Sequence, residues 1–175
     1  PYLGVEKDKI LRPDTKLEKL AKLPSVFDSK NGSLTAGNST AMTDGASVVF
    51  LASESYAKTN DLPILCYFKD AQSSAVDFTK GAGLLMAPTL AVSDLLKRNQ
   101  LEFNDIDFFE IHEAFAAQAL CTLKAWEDPE YCKKWLSRSQ ALGPIDKNKI
   151  NKKGSSLALG HPFAATGARI ATSLA

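Results

Sequence analysis

Only two of the 175 residues are histidine, and both stand where an apolar run gives way to a helix-like stretch. His112 follows Asp105-Ile-Asp-Phe-Phe-Glu-Ile111 and opens His112-Glu-Ala-Phe-Ala116, and His161 lies within Gly160-His-Pro-Phe-Ala-Ala-Thr-Gly167. Where a strand ends and a helix begins, free backbone N–H groups converge and carry positive partial charge, which suits anionic ligands and developing negative charge. A neutral imidazole placed there can take a proton from a thiol or donate a hydrogen bond to an oxyanion. An isolated histidine can equally be a cap or a core residue. The flanking glycines favour chemistry at His161, whereas the surroundings of His112 suit either role.

The segment Thr35-Ala-Gly-Asn-Ser-Thr-Ala-Met-Thr-Asp-Gly-Ala46 is a loop of small residues leading into a helix-like stretch. Small side chains let a ligand approach the backbone, with Ser and Thr hydroxyls as partners, although a tight packing turn has the same composition. Its spacing matches neither the phosphate loop that ends in Gly-Lys-Ser/Thr nor the dinucleotide-binding glycine fingerprint. Of the three cysteines, Cys66 in an apolar strand and Cys121 in an Ala/Leu helix read as inert core residues, and Cys132 falls in a later excursion. Without a Cys-x-x-Cys pair, and with the two histidines far apart in sequence, no zinc site is expected. Lys147, Lys149, Lys152 and Lys153 read as a solvated loop, and the acidic residues form no carboxylate pair.

The elements that must position these groups alternate between helix and strand. Leu17, Leu20 and Leu23 have helical spacing up to Pro24, and Ser33 to Asn38 reads as a short strand running into the small-residue loop. A helix is expected from Thr43-Asp-Gly45, burying Val48, Val49, Leu51, Ala52 and Tyr56, then a strand over Ile64 to Phe68. Pro88 suits the first turn of a helix carrying Leu90, Val92, Leu95 and Leu96. Further strands are expected over 105–111 and 155–159, with helices over 114–126, around 131–136 and from Thr166 onward. Such alternation argues a layered α/β architecture.

Hydrophobic residues at 45%, charged residues at 23% and a net charge of +1 describe a globular domain and exclude collagen-like, low-complexity and disordered classes. So small a positive excess leaves no global electrostatic drive toward nucleic acid. No apolar run approaches the roughly 18–20 residues of a membrane helix, and three cysteines in a chain of this length suggest a reducing compartment. A start at Pro1 and an end at Ala175 within a helical run suggest part of a longer protein.

Taken in order, several segments resemble the C-terminal half of the thiolase family. They are Arg12-Pro-Asp-Thr-Lys-Leu-Glu-Lys-Leu-Ala-Lys-Leu23, Leu34-Thr-Ala-Gly-Asn-Ser-Thr40 with Asp44-Gly-Ala46, His112-Glu-Ala-Phe-Ala116, and Asn151-Lys-Lys-Gly154 leading to Gly160-His-Pro162. Most thiolases carry Asn where this chain has His112. The His-Glu-Ala-Phe version and the longer excursion look most like the thiolase (beta) subunit of fatty-acid oxidation complexes.

The resemblance implies a thiolase-like layered α/β fold, C-terminal half, ending before the last strands. Residues 1–31 would be the end of the thiolase loop region and 32–175 an incomplete C-terminal domain. It also implies 3-ketoacyl-CoA thiolysis: a cysteine thiolate attacks the 3-keto carbon, acetyl-CoA leaves, and the shortened acyl group passes to a fresh CoA. His161 would activate the cysteine and line an oxyanion hole. His112 would hold a catalytic water or the thioester oxygen. Arg12, Leu23, Phe27, Ala36, Thr40, Leu84, Ala114 and Phe115 would fall at CoA-contact positions. Coenzyme A would be a substrate, with no resident cofactor and no metal.

The expected partners are acyl-CoA, CoA and a second copy of the complete chain, with a multifunctional alpha subunit where such complexes occur. The expected location is the cytoplasm, or the mitochondrion in a eukaryote. Cys66, Cys121 and Cys132 match neither catalytic cysteine of the family, so this chain would carry one base and much of a CoA site without the nucleophile. Ser155 and Ala164 replace family glycines and would narrow the loop around the acyl thioester. A noncatalytic CoA- or lipid-binding module on the same scaffold is the alternative reading. A condensing synthase is the third, disfavoured by the Thr-Ala-Gly-Asn-Ser loop and the Gly-His-Pro-Phe context.

Overall fold

A computed structural model describes residues 3–175. Its centre is a three-helix module built from α3 (Ala87–Asn99), α4 (Ala116–Glu127) and α5 (Pro129–Leu136). Pro88 sits in the first turn of α3, and Lys97 and Arg98 occupy its last turn, where the helix dipole favours positive charge. Asp128 starts α5, its carboxylate accepting from the N–H groups of Glu130 at 2.9 Å and Tyr131 at 3.3 Å. Leu96, Phe103, Trp126, Cys132, Leu136 and Ile145 form the buried core between these helices. Polar groups inside it are paired: the Trp126 indole donates to the Thr89 carbonyl at 3.2 Å, and Arg138 donates to the Ser93 hydroxyl at 2.7 Å and its carbonyl at 2.6 Å.

Shorter helices lie outside the module: α1 (Leu17–Leu20), α2 (Glu54–Thr59), α6 (Ser156–Leu159) and α7 (Thr166–Leu174). Among the described residues no strand ladder forms. Ser25 and Thr35, Ser39 and Phe115, and Phe109 and Ile150 make isolated bridges. The expected strands over 33–38 and 105–111 are thus reduced to single bridges, and 64–68 has none, because an extended segment becomes a strand only beside a partner. The end of the stretch over 64–72 is held by Arg98, which grips the Asp70 carboxylate with two N–H groups at 2.9 and 2.8 Å and also donates to Gln72 at 2.6 Å.

Three further expectations are corrected. The helix expected from Thr43 begins only at Glu54, and Val48, Val49 and Leu51 are exposed. Periodicity shows one apolar face, but a helix is stabilised mainly by a surface on which to bury it, and the described residues offer none here. Residues 155–159 are helical rather than a strand: Ala158 and Leu159 donate to the Ser155 carbonyl, and Gly160 donates to that of Ser156. A short apolar run does not distinguish the two states. Cys66 and Cys121 are exposed, and the buried cysteine is Cys132.

Candidate active site around paired histidines

The segment leading to His112 is fixed to the module at Phe109, whose ring meets Phe103 edge-on with centroids 5.9 Å apart. Phe109 N–H donates to the Lys149 carbonyl and Asn151 N–H donates to the Phe109 carbonyl, both at 2.8 Å. Asn151 then continues this pairing with its side chain. Its Oδ1 accepts from Ile111 N–H at 2.7 Å, and its Nδ2 donates to the Ile111 carbonyl at 3.0 Å and to Glu113 at 2.7 Å. The Ser155 hydroxyl also donates to the Ile111 carbonyl, at 3.0 Å. The residue just before His112 is therefore held by two side chains from the neighbouring segment.

His161 arrives from the other direction. Gly160, at φ +84° and ψ 179°, turns the chain out of α6 in a conformation nearly confined to glycine. His161 N–H then donates to the Ala41 carbonyl at 2.8 Å, docking the Gly-His-Pro turn on the small-residue loop. The imidazole rings of His112 and His161 lie with centroids 4.3 Å apart, inclined at 45°. Phe163 flanks His161 with centroids 4.8 Å apart. Ala164, at φ +65°, occupies the left-handed region that a Cβ disfavours, at the position where the family resemblance puts glycine.

Each ring is held through Nδ1. His161 Nδ1 is 2.7 Å from Thr166 Oγ1, and that hydroxyl reaches the Pro162 carbonyl at 3.3 Å. In the tautomer in which Thr166 passes its hydrogen to Pro162 and accepts Nδ1–H from His161, Nε2 of His161 is bare and can take a proton. His112 Nδ1 lies 2.7 Å from Ser156 Oγ. Burial holds the pKa of His112 below the ordinary 6.5, and its neighbours His161 and Arg169 push the same way. His112 is consequently neutral at pH 7.

A cavity of about 310 Å³ opens beside His161, lined also by Met42, Thr43, Asp44, Gly45, Pro162 and Phe163. The Thr43 hydroxyl in its wall is buried without a hydrogen-bond partner among the described residues. No cysteine lines this cavity.

Most of the expected CoA-contact positions converge on one surface next to the histidines. Thr40 N–H donates to the Ala114 carbonyl at 2.8 Å, and its hydroxyl donates to the Ser156 carbonyl at 2.6 Å. The Phe27 and Phe115 rings meet edge-on with centroids 5.9 Å apart. Leu23 closes over the same loop, its Cδ1 only 2.8 Å from where a Cβ on Gly37 would stand, beside the exposed Ala36. Leu84 is exposed in the next loop, which is tied to α4 by Gln118 donating to the Leu85 carbonyl at 2.7 Å. Arg12 lies apart, exposed, in a turn where its carbonyl accepts from the Thr15 hydroxyl at 2.7 Å.

Sequence reasoning missed Ser156, Thr166 and Arg169 as ring-holding residues. The small hydroxyls gave no signal of their partners. Arg169, the one charged residue in α7, did carry a signal, since a charge in an apolar helix needs a reason.

The sequence profile "Thiolase, C-terminal domain" matches residues 62–175, and "Thiolase, N-terminal domain" matches residues 3–55. A 3-ketoacyl-CoA thiolase of Shewanella woodyi is 44% identical over 98% of this chain and 39% of its own length. The chain thus spans about two fifths of the curated relatives it matches. Among solved structures, the acetyl-CoA acetyltransferase of Bacillus anthracis superposes with a TM-score of 0.78 at 36% identity, over 96% of this chain and 37% of that one. Human mitochondrial 3-ketoacyl-CoA thiolase in complex with CoA superposes with a TM-score of 0.73 at 30% identity, over 97% and 38%. The fold is the α/β fold of those structures. The match of the C-terminal profile over more than half of the residues places the chain in the thiolase family.

Proposed function

We propose that this chain supplies the histidine-bearing, CoA-facing part of a 3-ketoacyl-CoA thiolase. In that reaction a cysteine thiolate adds to the 3-keto carbon, and the bond between C2 and C3 breaks. The acetyl-CoA enolate collects a proton and leaves, and CoA thiol then takes the acyl group from the cysteine. His161, with Nε2 bare, removes the thiol proton. His112 faces the thioester oxygen. Thr40, Ala114, Phe115, Phe27, Leu23 and Ala36 support the CoA tail, with Leu84 and Arg12 further out. The nucleophilic cysteine comes from outside these residues, since none of the three present here lines the cavity beside His161.

The observation that carries this reading is the side-by-side placement of the two rings, 4.3 Å apart, at the edge of the small-residue loop. The names of the relatives and the CoA complex of a structural neighbour support the substrate class. In the complete thiolase polypeptide carrying this segment, His161→Ala lowers kcat for thiolysis by at least about 10²-fold, because a general base is lost. Near-normal turnover in a folded variant refutes the assignment. The 175-residue chain alone shows no acetyl-CoA release from a 3-ketoacyl-CoA. Release that survives changing Cys66, Cys121 and Cys132 in turn to Ser overturns the cysteine mechanism.

A further inference from the structure

We propose that Ser156 and Arg169 are positioning residues that hold His112 as the Nε2–H tautomer, so that His112 meets the substrate as a hydrogen-bond donor while His161 serves as the base. The role toward substrate rests on the thiolase reading above; the tautomer is a property of this chain alone.

Ser156 is fully buried. Its Oγ has two polar neighbours, Arg169 Nη2 at 3.0 Å and His112 Nδ1 at 2.7 Å. A guanidinium only donates, so one lone pair of the hydroxyl is committed to Arg169. Were Nδ1 protonated, the hydroxyl would receive two hydrogens and its own would find no acceptor at a site closed to water. Buried hydroxyls are rarely left so. The Ser156 hydrogen therefore points at Nδ1, and a neutral imidazole whose Nδ1 accepts must carry its proton on Nε2.

Arg169 contributes in a second way. Its Nε and Nη1 are buried without hydrogen-bond partners among the described residues, as is Oε2 of Glu110, whose pKa burial raises although the Arg169 charge opposes that shift. A cation fixed there opposes a second positive charge on His112. The two rings meet different hydroxyls: Ser156 has an obligatory donor in Arg169 and so donates to His112, whereas Thr166 has no such donor and has a carbonyl 3.3 Å away to take its own hydrogen, so it can accept from His161. An Nε2–H presents one hydrogen to a substrate oxygen.

The test is a long-range ¹H–¹⁵N correlation spectrum of the ¹⁵N-labelled 175-residue chain above pH 7, which separates protonated from bare ring nitrogens. The expected result is His112 protonated on Nε2 with Nδ1 bare, and His161 the reverse. In Arg169→Met the Ser156 hydroxyl is released to accept, and the Nδ1–H form of His112 rises about tenfold, as the loss of one hydrogen bond's bias predicts. Arg169→Lys keeps the donor and restores the original ratio. A wild-type His112 protonated on Nδ1, or evenly divided, overturns the proposal, and so does an unchanged ratio in Arg169→Met. The wild-type spectrum decides by itself if Arg169→Met fails to fold. A failure of the thiolysis assay leaves these spectra untouched, and an Nδ1–H His112 leaves the thiolase reading standing, so the two failures are distinct.

Discussion

Replacing Gly160 by Ala tests the turn that delivers His161. Two costs are expected, and they are separable. At φ +84° and ψ 179° an L-residue is strained by about 1–3 kcal/mol. The added Cβ would also stand 2.5 Å from Thr43 Cγ2 and 2.6 Å from Thr43 Oγ1, where ordinary contact begins near 3.4 Å. Forcing such an overlap costs about 1–3 kcal/mol. The reduced freedom of Ala in the unfolded chain returns about 0.4–1 kcal/mol. The net loss is then about 1–6 kcal/mol, a large share of the roughly 5–15 kcal/mol that holds a domain together. Urea unfolding with linear extrapolation measures it. Adding Thr43→Ala removes the two closest atoms and leaves Thr43 Cβ at 3.1 Å, so the double variant regains most of the contact share of about 1–3 kcal/mol and keeps the backbone share. A loss below about 1 kcal/mol for the single variant refutes the strain argument, and no recovery in the double variant refutes the contact with Thr43.

Ala164→Gly is expected to stabilise by about 0.5–1 kcal/mol, because relief of left-handed strain exceeds the added chain entropy of Gly; a loss of stability in the same urea measurement would sink this. Folding stability is expected to fall as pH drops below 6.5, since the lowered pKa of His112 means that the unfolded chain binds the proton more tightly. The stability from this group is present above pH 6.5 and is lost down to its folded pKa. Urea midpoints from pH 8 to 5 show the slope, which flattens in His112→Asn; an equal slope in both proteins assigns the effect elsewhere.

The two histidines were legible because each interrupts a recognisable pattern: an apolar run before His112, and a glycine-flanked turn around His161. Their meeting was not, because nothing local in either segment specifies a contact with the other. The same limit explains Asn151, whose motif was visible but whose side-chain pairing with Ile111 exists only in the folded chain. Residues 43–53 show the opposite failure. Val48, Val49 and Leu51 carry a clear helical period, yet they lie exposed outside any helix. Pro88 was different in kind, since a fixed φ acts within one turn. The helix it opens starts at Ala87, one residue before it.

The bond from the Thr40 hydroxyl to the Ser156 carbonyl joins residues 116 apart in the chain. The three-helix module, by contrast, is assembled from neighbours: α3, α4 and α5 follow one another between residues 87 and 136. Closing a short loop costs less entropy than closing a long one, and contacts of low sequence separation form sooner. Sequence separation alone therefore predicts that the module nucleates folding and that the contacts around the paired rings close later. Substitutions at Leu96 or Trp126 are then expected to slow folding, and those at Thr40 or Ser156 chiefly to speed unfolding, which stopped-flow chevrons of the variants check. The corner that holds the paired histidines can then open and reclose on its own timescale while the helices beneath it persist.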